Sequence, residues 1–65
     1  MHMEPLTEGE IAALGRQLEL EEFLAKKYAA YALMVEDPQL KTKFEQYAAV
    51  HRNHTASLRA MAGAS

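Results

Sequence analysis

Apolar and small residues recur through the first half of the chain at Ile11, Leu14, Leu18, Ala25, Tyr28, Ala32 and Val35, in steps of three, four and seven. A helix turning every 3.6 or so residues brings such positions onto one face, so this stretch is predicted to be an amphipathic α-helix. Thr7-Glu8-Gly9-Glu10 supplies its start. In this capping box the Thr7 hydroxyl accepts from the Glu10 amide while the Glu10 carboxylate reaches back to Thr7. The residues between are mostly strong helix formers, with Gly15 the weak point. Asp37-Pro38 then breaks the pattern: Asp is a good N-cap, Pro suits the first helical position, and a residue before Pro avoids helical backbone. A second stripe follows at Leu40, Phe44, Tyr47, Leu58 and Met61, with Gly63 as a stop. The expectation is an all-α chain, one domain over residues 1–65, with helices over about 8–36 and 38–62. At about 1.5 Å per residue they would be roughly 42 and 36 Å long, a matched pair for an antiparallel hairpin with a short turn.

Filling the gaps in the two stripes places ionisable groups where apolar ones are expected. Stepping three from Leu18 gives Glu21, and stepping four from Tyr47 gives His51 and then His54. In an antiparallel hairpin two residues are level when their numbers average to the turn, and Glu21 averages with the midpoint of His51 and His54 to Glu36-Asp37. The three should share one layer. By the same rule Tyr28 is level with Tyr47 and Leu14 with Met61, which would seal the polar layer above and below. Burying a carboxylate and two imidazoles without partners is very costly. Two histidines three apart on one helical face, facing a carboxylate, make a ligand set that suits Zn, Fe(II), Mn or Co with positions left open. The alternatives are a polar layer whose Glu–His hydrogen bonds fix the pairing register without an ion, and a different helix phase that leaves the histidines exposed.

Size calls for support beyond a single small core. At 65 residues a chain buries only about 60% of its unfolded surface, and folds this small usually add disulfides, a metal or another subunit. There is no cysteine, which leaves a His/carboxylate site, oligomerisation, or both. Leu20, Leu24 and Tyr31 widen the apolar face beyond the one stripe that a hairpin contact uses. A homodimer closing a four-helix bundle is therefore expected, with Ala25, Ala29, Ala32, Ala48 and Ala49 allowing close helix approach. A formal charge of −2 with scattered Lys and Arg argues against a nucleic-acid surface. No apolar run approaches the roughly 18 residues of a membrane span and no signal peptide is visible, so a cytoplasmic protein is expected. On the outer faces, Glu22 with Lys26 and Lys41 with Glu45 are spaced for helical ion pairs of about 0.2–0.5 kcal/mol each.

The segment Leu18-Glu19-Leu20-Glu21-Glu22-Phe23-Leu24-Ala25-Lys26-Lys27-Tyr28, with His54 on the second helix, resembles half of a ferritin-like bundle of the rubrerythrin and bacterioferritin kind. In those proteins a ligand Glu is followed seven residues later by Tyr, and the other helix carries Glu-x-x-His. The Asp37-Pro38-Gln39-Leu40 turn is also similar to that of short spore-coat-F-like proteins. The resemblance spans about residues 10 to 60 and implies a metal site with Glu21 and His54 as ligands and Tyr28 and Tyr47 as neighbouring donors or packing. One position departs from the pattern: His51 stands where the family has its bridging Glu. A dimer then offers two carboxylates and four imidazoles, and two divalent ions would keep a net +2 in an apolar core. That argues against di-iron ferroxidase chemistry and puts a mononuclear Zn or Fe site per protomer, or a single shared ion, on a level with it.

Three functions are compatible with these residues. The first is a ferritin-like metal-binding homodimer with Glu21, His51 and His54 as ligands, serving storage, sensing or a redox step. The second is a structural or interaction module of the spore-coat-like kind. The third, metal-free acid–base catalysis by Glu21 and His51, lacks a nucleophile and a surface large enough for a substrate pocket.

Overall fold

The computed structural model describes residues 5–63, and they form a hairpin of two α-helices, α1 (Glu8–Met34) and α2 (Pro38–Gly63). Thr7 caps α1 as the sequence requires: its Oγ1 accepts from the Glu10 amide at 3.1 Å, and its own amide donates to Glu10 Oε1 at 2.9 Å. The end of α1 comes two residues earlier than the expected 36. Val35 is extended (φ −84°, ψ 145°), although its amide still donates to the Tyr31 carbonyl at 3.1 Å. Two influences favour the early stop. Asp37 precedes a proline and cannot comfortably be helical, and Lys41 reaches back across the turn to donate from Nζ to the Ala32 carbonyl at 2.8 Å. That bond satisfies one of the last-turn carbonyls that has no partner within the helix. Asp37 then caps α2, its Oδ1 accepting from the amides of Gln39 (2.8 Å) and Leu40 (3.2 Å).

The line along which the helices touch is made of small residues. Ala25, Ala32 and Ala48 are the buried apolar side chains, joined by Glu21 and Thr55, and no large side chain among the described residues is fully buried. This shifts the phase expected for α2. Its contact line runs through Phe44, Ala48, His51, Thr55 and Leu58, whereas Leu40, Tyr47 and Met61, expected at the centre of the stripe, stand half-exposed beside it. The place expected for Met61 opposite Leu14 is taken by Leu58 and Ala62, which line a groove with Leu14 and Leu18. Alanines draw the backbones together, and large side chains must then lie to one side.

They lie to the same side on both helices. Tyr28, Tyr31, Phe44 and Tyr47 form a cluster with ring centroids 5.4–6.4 Å apart. The opposite side is a charged groove of 540 Å³ with Ala25 and Ala29 in its lining and Lys26, Arg52, Arg59 and Glu22 around it. There Glu22 pairs with Arg59 of the other helix, a cross-helix contact that the expected Glu22–Lys26 spacing did not anticipate. The molecule measures 48 × 23 × 11 Å, a plate about one helix thick. No helix of the described residues is long and apolar enough to cross a membrane.

Candidate metal centre

Glu21 lies at the middle of α1, with thirteen residues before it (8–20) and thirteen after (22–34). His51 lies at the middle of α2, with thirteen before (38–50) and twelve after (52–63). The hairpin brings them level. His51 Nδ1 donates to Glu21 Oε1 at 2.8 Å and His54 Nδ1 donates to Glu21 Oε2 at 2.7 Å, so each carboxylate oxygen holds one imidazole. An ionised carboxylate only accepts, and the proton in each bond therefore belongs to the imidazole. All three expected site residues are together in one layer, one turn of α2 supplying both rings.

Their exposure differs from that expected. The Glu21 side chain is 6% exposed, that of His51 21% and that of His54 56%. The carboxylate forms the floor, His51 one wall, and His54 the open rim. His54 is outside the hairpin core because α2 is rotated onto its alanine line, as Ala48 and Thr55 demand. Tyr28 packs its ring parallel to that of His51, with centroids 5.6 Å apart and an interplanar angle of 10°, closing the turn side of the site. Its role in the hairpin is packing.

The Glu21 carboxyl is held below its usual range. The hydrogen bond from His51 lowers it most, burial pushes the other way, and the hydrogen bond from His54 and the fields of both imidazoles add to the lowering. No buried side-chain polar atom among the described residues lacks a partner. Thr55, which sequence reasoning missed, supports the layer from below: it is buried, and its Oγ1 donates to the His51 carbonyl at 3.0 Å. Its position seven residues after Ala48, on the same helical line, was the available signal.

One donor atom from each of Glu21, His51 and His54 lies within 4.8 Å of the other two, and the group can hold a metal ion. The chemistry of the set fits a borderline divalent cation: one carboxylate oxygen donor, two imidazole nitrogens and no thiolate. An ion would replace the two protons that now bridge nitrogen and oxygen, and each imidazole stays neutral if its proton moves to Nε2. Comparison with known proteins finds no family model, no curated protein and no solved structure that matches the chain. The ferritin-like resemblance thus rests on Glu21, Tyr28, His54 and the turn alone.

Proposed function

We propose that the protein binds a divalent metal ion through Glu21, His51 and His54 and works as a homodimer of ferritin-like design, two hairpins closing a four-helix bundle. The observation that carries the metal reading is the convergence of both Nδ1 atoms on the two oxygens of one buried carboxylate. The dimer is supported by what the hairpin leaves uncovered. Leu20, Tyr31, Leu40, Tyr47 and Met61 all stand exposed. Leu40, Tyr47, His54 and Met61 recur every seven residues along the exposed side of α2, the repeat by which helices of such bundles meet. Iron, zinc and manganese all suit the donor set. When bound, the ion supplies Lewis acidity or, for iron and manganese, a one-electron couple.

The test is metal analysis of untagged protein by inductively coupled plasma mass spectrometry. Near-stoichiometric Fe, Mn or Zn that is lost in Glu21→Ala and in His51→Ala/His54→Ala is the expected result. A wild-type chain that is empty and cannot be loaded overturns the reading.

A second reading has its own observation: the two imidazoles already satisfy both carboxylate oxygens, and no buried side-chain polar atom among the described residues lacks a partner. A polar layer of this kind fixes the register of a structural module without an ion. It is favoured if His51→Leu/His54→Leu gives a more stable assembly while the wild type takes up no metal.

A further inference from the structure

We infer that the ion is shared: one divalent cation sits between two copies of the hairpin, held by Glu21, His51 and His54 of both, and binding it is what locks the dimer. This rests on the metal-binding reading above and goes beyond it in the number of ions and the place of the site.

Three independent observations lead there. The first is position. Glu21 and His51 are at the mid-length of their helices. A two-fold axis that lies in the interface, parallel to the plate and perpendicular to the helices, overlaps them along their full length only when it passes through the middle, so it sets the two copies of the site against each other. A site near either end would be carried to the opposite end of the bundle instead. The second is access. Glu21 is buried on α1 and Tyr28 covers His51 on the turn side, whereas the His54 side chain is 56% exposed and stands on the same seven-residue line as Leu40, Tyr47 and Met61. That line is the one a second copy would cover, and the charged groove with Lys26, Arg52 and Arg59 lies on the other face.

The third is charge. Two copies bring two carboxylates and four neutral imidazoles. One divalent ion makes the layer neutral. Two would leave a charge of +2 beside the aromatic cluster, and isolated charge in a low-dielectric interior is strongly disfavoured. Among the described residues, the neighbours on the same helical lines, Leu18, Ala25 and Tyr28 on α1 and Tyr47, Thr55 and Leu58 on α2, carry no charge. Four nitrogens and two oxygens also complete six-fold coordination, which a single hairpin with three donors cannot do.

The inference is tested by stripping the full chain with a chelator and titrating with Co²⁺, following visible absorption, native mass and sedimentation velocity. The expected result is saturation at one Co²⁺ per two chains, with a dimer carrying one ion as the main species. The dimer dissociation constant is expected to be on the order of tenfold to a hundredfold lower with Co²⁺ than with chelator. His54→Ala removes an exposed side chain that bonds Glu21 Oε2 and leaves the buried alanine contact line of the hairpin intact. It should keep the helical circular dichroism of the wild type and lose the Co²⁺-driven tightening. Saturation at one ion per chain, or uptake that leaves the monomer–dimer balance unchanged, overturns the shared ion and leaves chelation by the hairpin standing. A folded chain that takes up no Co²⁺ overturns the chelation reading itself.

Discussion

Glu21 shows how a buried acid is kept ionised. Burial alone would raise its pKa, but two imidazole N–H groups donate to it, one on each oxygen, and the balance is a lowered value. The sign of the linkage follows. Because the folded state holds the proton less tightly than the unfolded chain, Glu21 adds stability that is complete above the ordinary carboxylate value of 4.5 and is lost as pH falls through the lower folded value. Thermal melts of the chelator-treated protein should therefore be little affected by this group above about pH 5 and should weaken below about pH 4. In Glu21→Gln that acid step should shrink. It should not vanish, because Glu10 is also lowered, through its bonds with the Thr7 backbone and side chain. An unchanged acid step in Glu21→Gln would show that the fork to the two histidines is not formed in solution. The identity of these residues was legible in the sequence, since a carboxylate and two imidazoles interrupt apolar ladders at one depth. Their unequal exposure was not legible, because a stripe drawn through large residues misses Ala48 and Thr55, which decide the rotation of α2.

At the scale of the element, each helix is set by local chemistry that acts before any packing. Asp37 caps α2 with bonds to two amides, and Asp37→Ala should cost about 1 kcal/mol, read as a lower urea midpoint at fixed protein concentration. Gly15 sits mid-helix with nothing within 4 Å of the place its Cβ would occupy. Gly15→Ala should add roughly 0.5–1 kcal/mol per chain by restricting the unfolded backbone; a loss of stability would mean that another chain packs against that position. The capping box and the proline break were readable because each is a contiguous motif. The early end of α1 was not, because the carbonyl it leaves free is met by Lys41, nine residues on, from beyond the turn.

As a whole, the molecule is a plate with two unlike faces, and its own core is three alanines, a threonine and a carboxylate. Fully burying a Leu-sized side chain is worth about 1.5–3 kcal/mol, and this hairpin does so nowhere among the described residues. The faces can be told apart by substitution. Leu20 is 49% exposed and lies on the Leu24–Tyr31 side of α1, whereas Leu33 is 83% exposed and lines the opposite groove with Lys41, Glu45 and Arg52. Leu20→Lys should shift sedimentation toward monomer and lower the helical signal at micromolar concentration, while Leu33→Lys, at the more exposed leucine, should change neither. Equal effects of the two would exclude the aromatic face as the dimer contact.

The sequence by itself determined the two helices, their caps, the turn at Asp37-Pro38 and the common depth of Glu21, His51 and His54, because all of these follow from residue spacing and short-range hydrogen bonding. Tertiary structure alone decided the rotation of α2 about its axis. That rotation is a competition between burying large side chains and bringing two backbones close. Alanines at 25, 32 and 48 settle it for close approach, which sends the aromatic rings and His54 to one face and the Arg and Lys side chains of the groove to the other.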